Sequence, residues 1–168
     1  MSTPPLPARS RLSGCGLQSS LPDELSRLAS LRSLDLSANQ LSGGVPSGWT
    51  VVGAFPALET LQLADNRLAG ALDDWTVPAG FICSKSFNIS GNAFSAGPIP
   101  GGWYSRTLAA LDIAYNNVSG PLPLEWGLAK PNHEDVYPSA FPALALLYIM
   151  GNNLSGGWPS RLLVQSCI

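Results

Sequence analysis

The sequence contains few groups of residues that could carry catalysis or bind a metal ion. The most suggestive are His133, Glu134 and Asp135, which include the only histidine of the chain. Three consecutive side chains do not easily converge on one ion, and no second cluster completes a ligand shell. No nucleophile or carboxylate pair is placed for acid–base chemistry. The sequence therefore predicts no enzyme and no metal or cofactor site, and it favours a solvated loop over residues 127–140.

The cysteines indicate neither a disulfide framework nor a zinc site. Cys15, Cys83 and Cys167 are odd in number and lack the paired spacing that either would need. A free or mixed state is favoured, and one disulfide between distant cysteines stays open. The redox compartment is not indicated.

Charge and hydropathy exclude two further classes of partner. Nine Lys and Arg stand against eleven Asp and Glu, for a net charge of −2, so nothing gathers nucleic acid. The longest apolar stretch, 141–150, is too short to cross a bilayer and contains Pro142. Met1 is followed by STPPLPARS, which lacks the apolar core of a secretory signal. We expect a cytoplasmic or cytoskeletal, even ciliary, location if the chain is complete, and an extracellular or cell-surface one if an upstream signal is missing.

An internal repeat supplies the elements that would position any site. Segments such as 31–46 and 108–123 align on a shared asparagine, and the anchors are spaced by 24, 27, 26, 24 and 36 residues. Apolar residues alternate before each anchor, as Leu34 and Leu36 do, which is typical of a short half-buried strand. The anchors are Cys15, Asn39, Asn66, Asn92, Asn116 and Asn152.

Each anchor has a predicted structural role. A side-chain amide turned inward can bond the backbone of its own turn and of the neighbouring coil. Cys15 is expected to be small and buried in the same ladder. The tryptophans follow the proline end of the copies, which favours packing between coils over a ligand-binding aromatic set. They are Trp49, Trp75, Trp103, Trp126 and Trp158.

The strings LSGGVP at 41–46, VSGPLP at 118–123 and LSGGWP at 154–159 resemble the plant-type leucine-rich repeat. The resemblance covers roughly residues 10–163. It implies an α/β fold: a right-handed solenoid, or horseshoe, of about six coils with a parallel concave β-sheet. Residues 1–9 would form an irregular lead and 10–168 the repeat domain, with a loop insertion near 127–140. The chain is similar to ectodomains of receptor-like kinases and to polygalacturonase-inhibitor-type proteins, although the cysteine pairs that cap secreted members are missing.

In this architecture, residues between the strand leucines point outward on the concave face. Exposed aromatic residues and methionine are favoured at the centres of interfaces. A groove near the C-terminal coils and a merely solvated sheet both remain open. The predicted partner-binding residues are Arg11, Asp35, Gln62, Asp65, Asn88, Asp112, Tyr115, Tyr148 and Met150.

The pattern as a whole predicts a non-catalytic module that binds a protein or peptide through its concave or lateral face. The alternatives are an extracellular receptor-ectodomain or enzyme-inhibitor fragment, and an intracellular cytoskeletal or ciliary scaffold. Asn-x-Ser triplets make Asn88, Asn117 and Asn153 possible glycosylation sites. Uncapped ends predict fraying or weak self-association.

Overall fold

The computed structural model describes residues 9–75, 85–95, 97–123, 126, 141 and 143–156. Six coils follow one another, and we number them 1 to 6 by their anchors, from Cys15 to Asn152. Each coil contributes a first strand before the anchor and a second strand after it. In chain order the strands are β1 (Arg9–Arg11), β2 (Gln18–Ser19), β3 (Ser33–Asp35), β4 (Gln40–Gly43), β5 (Thr60–Gln62), β6 (Arg67–Gly70), β7 (Ser86–Asn88), β8 (Ala93–Phe94), β9 (Ala110–Asp112), β10 (Ser119–Pro121), β11 (Leu146–Tyr148) and β12 (Asn153–Ser155).

The first strands form a six-stranded parallel sheet in the order β1-β3-β5-β7-β9-β11. The register does not slip, because the middle residues of β3, β5, β7, β9 and β11 lie opposite one another. These middle side chains point into the core and are buried, whereas their neighbours on each strand face outward. The predicted parallel sheet and the six coils are confirmed. The buried middle residues are Leu34, Leu61, Phe87, Leu111 and Leu147.

The second strands form two further parallel sheets, β2-β4-β6-β8 and β10-β12. They lie beyond the anchors, so successive coils pair at two places, except coils 4 and 5, whose second strands belong to different sheets. The sequence did not reveal them, because strands of two to four residues are too short to show a period. Their Gly-rich composition indicated a bend instead.

In the part of the chain that the structure describes, three short 3₁₀ helices turn the chain back between coils: η1 (Asp23–Arg27), η2 (Ser47–Trp49) and η3 (Leu72–Trp75). The first two follow Pro22 and Pro46, which end the extended segment and supply a φ compatible with a turn. The turn that follows Pro22 is η1. Within the described ranges, no helix is long and apolar enough to cross a membrane.

Tryptophans fill the core behind the sheet. Trp49, Trp75, Trp103 and Trp126 are almost completely buried. Ring centroids lie 6.4 Å apart between Trp49 and Trp75, and 6.5 Å apart between Trp103 and Trp126. Aromatic pairs at such distances stabilise a core beyond their buried area. The prediction that they pack between coils is confirmed for these four, and Trp158 lies outside the described residues.

The five anchor asparagines hold successive coils in phase. Asn66 shows the pattern: its Oδ1 accepts the Leu41 N–H of the preceding coil at 3.0 Å. Its Nδ2 donates to the Leu36 carbonyl of the preceding coil at 3.0 Å, and to two carbonyls of its own coil. The equivalent bonds recur at Asn39, Asn92, Asn116 and Asn152. Each amide thus satisfies backbone groups that would be costly to bury unpaired.

Cys15 departs from its predicted environment. It occupies the anchor position of coil 1, but its side chain is exposed rather than buried. Its Sγ donates to the Ser13 carbonyl at 3.6 Å, which is a bond within its own coil. The difference has a plain cause: an anchor is buried by the coil before it, and no described coil packs on that side of coil 1.

Candidate functional site

The predicted central column of the concave face lies in one row across the six-stranded sheet. The strand register places each member beside the next, from Arg11 on β1 to Tyr148 on β11. Arg11 is exposed and the other five are half-buried. The row contains Arg11, Asp35, Gln62, Asn88, Asp112 and Tyr148.

Three members of this row make the same local bond. Asp35, Asn88 and Asp112 each use a side-chain oxygen to accept the backbone N–H two residues later, at 3.0, 2.8 and 3.0 Å. Such turns suit an acid or an amide equally well. Because Asn88 makes this bond without a charge, the fold does not require a carboxylate at the equivalent position 112.

Asp112 has a perturbed carboxyl group. Burial raises the pKa of Asp112, whereas the hydrogen bond from the Ala114 N–H and the nearby Ser90 side chain lower it. The negative charge of Asp65 raises the pKa of Asp112 further. The two carboxylates are therefore close enough to interact. In the described part of the chain, neither Asp65 nor Asp112 forms an ion pair. Arg67, the cation nearest to Asp65 in sequence, does not pair with it.

The residue before each anchor adopts a left-handed backbone conformation, which the sequence analysis missed. The signal was the glycine found there in coils 1, 4 and 6. A side chain in this conformation costs about 1–2 kcal/mol. Asp65 and Tyr115 nevertheless stand there, and each side chain lies over the glycine of the next coil. The φ angles are Gly14 65°, Ala38 54°, Asp65 54°, Gly91 62°, Tyr115 52° and Gly151 68°.

Tyr115 can occupy this position because Gly151 leaves room for its ring. A Cβ at Gly151 would lie 2.5 Å from Tyr115 Cδ1, so only a bare backbone fits beneath the ring. The Tyr115 hydroxyl donates to Met150 Sδ at 3.5 Å, a weak bond. Tyr115 is still 63% exposed and Met150 41% exposed. Strain of this kind persists where the surrounding structure enforces it, commonly at functional sites.

The outward apolar residues of coils 5 and 6 form a surface that we call the aromatic patch, consisting of Tyr115, Leu146, Tyr148 and Met150. Leu146 was missed by the sequence analysis and is 42% exposed. Its counterparts in the same column are small residues such as Ser33, Thr60 and Ala110. Each strand of the sheet begins with one of these outward residues. Among the described coils after coil 1, only coil 6 places a large apolar side chain there.

The N-terminal end of the sheet is cationic, because Arg9 and Arg11 both lie outward on β1 and are exposed. Beside the sheet, Glu59 joins Arg32 and Lys85 of the flanking coils, with N–O distances of 2.7 and 2.8 Å. The hydrogen bond from Lys85, followed by that from Arg32, lowers the pKa of Glu59. Exposed pairs of this kind add little stability. The concave face is thus cationic at coil 1, acidic and polar in the middle, and apolar at coils 5 and 6.

The three possible glycosylation asparagines have different surroundings. Asn88 Oδ1 accepts bonds from both the N–H and the hydroxyl of Ser90, at 2.8 and 2.7 Å, and its side chain is half-buried. Asn117 and Asn153 are exposed next to or within the second strands. A glycan on Asn88 would obstruct the sheet face, whereas one on the other two would not. Their modification stays a prediction.

Most of the residues first considered as catalytic, metal-binding or disulfide-forming lie outside the described ranges. These ranges include no cluster of His, Cys, Asp and Glu that could hold a metal ion. His133 with its loop at 127–140 lies outside them, as do Cys83 and Cys167.

Comparison with known proteins agrees with the ladder and the register. The family model described as Leucine Rich Repeat matches residues 30–51. The chain is a leucine-rich-repeat protein. Receptor-like protein 18 of Arabidopsis thaliana is 31% identical to it over 123 residues, which are 73% of this chain and 14% of that protein. Systemin receptor SR160 of Solanum peruvianum is 32% identical over 138 residues, covering 79% of this chain and 10% of the receptor.

A solved structure agrees with the same fold. The BIR2 ectodomain from Arabidopsis thaliana matches with a TM-score of 0.56 at 27% identity, over 94% of this leucine-rich-repeat chain and 71% of that one. The chain spans only a small part of the length of the curated relatives it matches. What is similar is therefore the repeat module rather than a whole receptor.

Proposed function

We propose that this leucine-rich-repeat module binds a protein or peptide through the outward face of its six-stranded sheet, with the aromatic patch at the centre of the contact. The observation that carries the proposal is Tyr115, a large exposed side chain in a backbone conformation that three other coils fill with glycine. Because glycine fills this position in coils 1, 4 and 6, the backbone does not require an aromatic residue there. Contact with a partner would explain why a strained, exposed aromatic residue stands at this position.

The relatives support a receptor-like setting. Two of them are named as a receptor-like protein and as the receptor of systemin, and the similar solved structure is an ectodomain. We therefore favour an extracellular or cell-surface location over an intracellular scaffold. The binding face is expected to be largely preformed, because its side chains stand on short strands tied together by the asparagine ladder.

The test is capture of partners from an extract of the native source, with identification by mass spectrometry. The double variant Tyr115→Ala, Tyr148→Ala should lose the partners that the native chain retains, because the apolar centre of the contact is removed. Tyr104→Ala is the matched control, since Tyr104 is also exposed but lies between β8 and β9, outside the strands of the sheet. Equal loss in both variants, or no loss in the double variant, would contradict the proposal.

A further inference from the structure

We propose that the occupant of this face is an extended peptide segment in which a lysine or arginine and an apolar residue stand two residues apart, so that both side chains point to the same side. Its cation would face Asp112 and Asp65, and its apolar side chain would lie on the aromatic patch. This inference rests on the proposed function and adds the chemical class of the ligand.

The geometry brings both halves of such a site within reach of one short segment. Asp112 and Tyr148 are direct register partners on β9 and β11, and Tyr115 follows Asp112 by three residues. Neighbouring strands are about 4.8 Å apart. Coils 3 to 6 therefore span roughly 15 Å, which is about five residues of extended chain. Side chains two residues apart in the ligand point the same way, so they can contact the acids and the aromatic patch at the same time.

Charge complementarity selects a cation. The carboxylates of Asp65 and Asp112 act on each other as like charges, and no cation of the described residues neutralises either one. An opposite charge brought between them relieves this repulsion. The fold does not demand the acid at position 112, because Asn88 makes the same turn bond without a charge.

The opposite end of the sheet sets the direction of the ligand. Arg9 and Arg11 are exposed on β1, so a basic residue is repelled from coil 1 and attracted to the middle of the sheet. The apolar residue of the ligand has its counterpart only at coils 5 and 6 within the described coils. We expect the cation to lie on the coil 1 side of the apolar residue.

The experiment selects binders from a phage-displayed library of random linear peptides of about twelve residues, using the full chain as bait. Recovered peptides are synthesised, and their dissociation constants are measured for the native chain and for Asp112→Asn. We expect enrichment of lysine or arginine two residues from an apolar residue. Affinity should fall about tenfold or more in Asp112→Asn. Asp73→Asn, which removes an exposed charge on η3, should leave affinity within about twofold.

A gain-of-charge variant tests the same idea in the other direction. Asn88→Asp adds a carboxylate beside Asp112 that can keep the turn bond, so it should tighten binding of the basic peptides. Urea unfolding of each variant checks that the fold is retained. Peptides that lack a cation, or that bind Asp112→Asn as well as the native chain, would overturn the inference.

The two proposals fail in different ways. Peptides whose affinity depends on Tyr115 and Tyr148 but not on Asp112 leave the proposed function intact and refute the cation. Peptides that depend on none of these residues refute both.

Discussion

The two faces of the six-stranded sheet differ in how far they repeat from coil to coil. Toward the core, the middle strand residue is Leu or Phe in coils 2 to 6, and the anchor asparagine makes the same bonds each time. On the outward face, the row beginning at Arg11 changes charge and size at nearly every step. The uniform face specifies the stack, and the variable face is free to specify a partner.

The largest expected effect breaks the uniform face. Asn66→Ala removes an Oδ1 that accepts one backbone N–H and an Nδ2 that donates to three backbone carbonyls. These four backbone groups belong to two coils. We expect a loss of about 3 kcal/mol or more in the free energy of unfolding, measured by urea denaturation. Asn117→Ala is the control, since Asn117 is exposed and beside the ladder; its effect should stay within about 0.5 kcal/mol. Similar losses in the two variants would refute the structural role of the ladder.

Two buried tryptophans of the core differ in whether the indole N–H has a hydrogen-bond acceptor. Trp49 and Trp75 are equally buried, but of these two only Trp49 donates a hydrogen bond from Nε1 within the described structure, to the Pro22 carbonyl at 3.0 Å. Replacing either by Phe removes similar volume and should cost about 1–2 kcal/mol. Trp49→Phe should cost about 1 kcal/mol more, because the carbonyl loses its donor. Thermal unfolding of both variants measures the difference, and a larger loss in Trp75→Phe would contradict it.

Tyr115→Gly separates stability from binding on the variable face. The substitution relieves the left-handed strain, so the free energy of unfolding should rise by up to about 1 kcal/mol, while partner capture should be lost. Ala38→Gly relieves the same strain in coil 2 without removing an aromatic ring, so it should stabilise the fold and leave capture unchanged. A Tyr115→Gly chain that is less stable than the native one would show that the ring serves the fold instead.

The smallest expected effect concerns pH and Asp112. Because its pKa is raised in the folded state, the native state takes up the proton before the unfolded chain does. Its ionised form therefore lowers stability at neutral pH, and this penalty disappears as the pH falls through the raised pKa. Asp112→Asn should be more stable than the native chain at pH 7 by less than about 1 kcal/mol, since the carboxyl is half-exposed and screened.

The measurement compares urea midpoints of the two chains between pH 7 and pH 4. The advantage of Asp112→Asn should shrink toward the acidic end. An advantage that grows as the pH falls would contradict the sign of the shift.

The parts of the fold that depend on spacing could be predicted from the sequence. The coils are defined by the alternation of apolar residues, as around Leu34. They are also defined by the return of an anchor asparagine equivalent to Asn39 about once per coil. The exposure of Cys15 could not be predicted correctly, because it depends on a neighbouring coil rather than on the residue. The second strands and the left-handed column are set by backbone geometry that Tyr115 and Ala38 do not signal by themselves.

The candidate site shows the same division. The central column followed from alternation, so its members could be placed before the structure. Leu146 and Arg9 were missed, because the outward columns were assigned from the residue between the strand leucines onward, and the first residue of each strand also faces outward. The closeness of Asp65 and Asp112 depends on side chains leaning across coils, which the linear pattern does not encode.

The Tyr115 ring lies on the bare backbone of Gly151, so coil 5 restricts which coil can follow it. Most leucine-rich coils in this chain share one backbone plan and look interchangeable in sequence. Coil 5, however, tolerates as its successor only a coil whose matching residue lacks a side chain. A tandem duplication of coil 5 would set one tyrosine beneath another, so this stretch of the solenoid cannot be lengthened by copying itself.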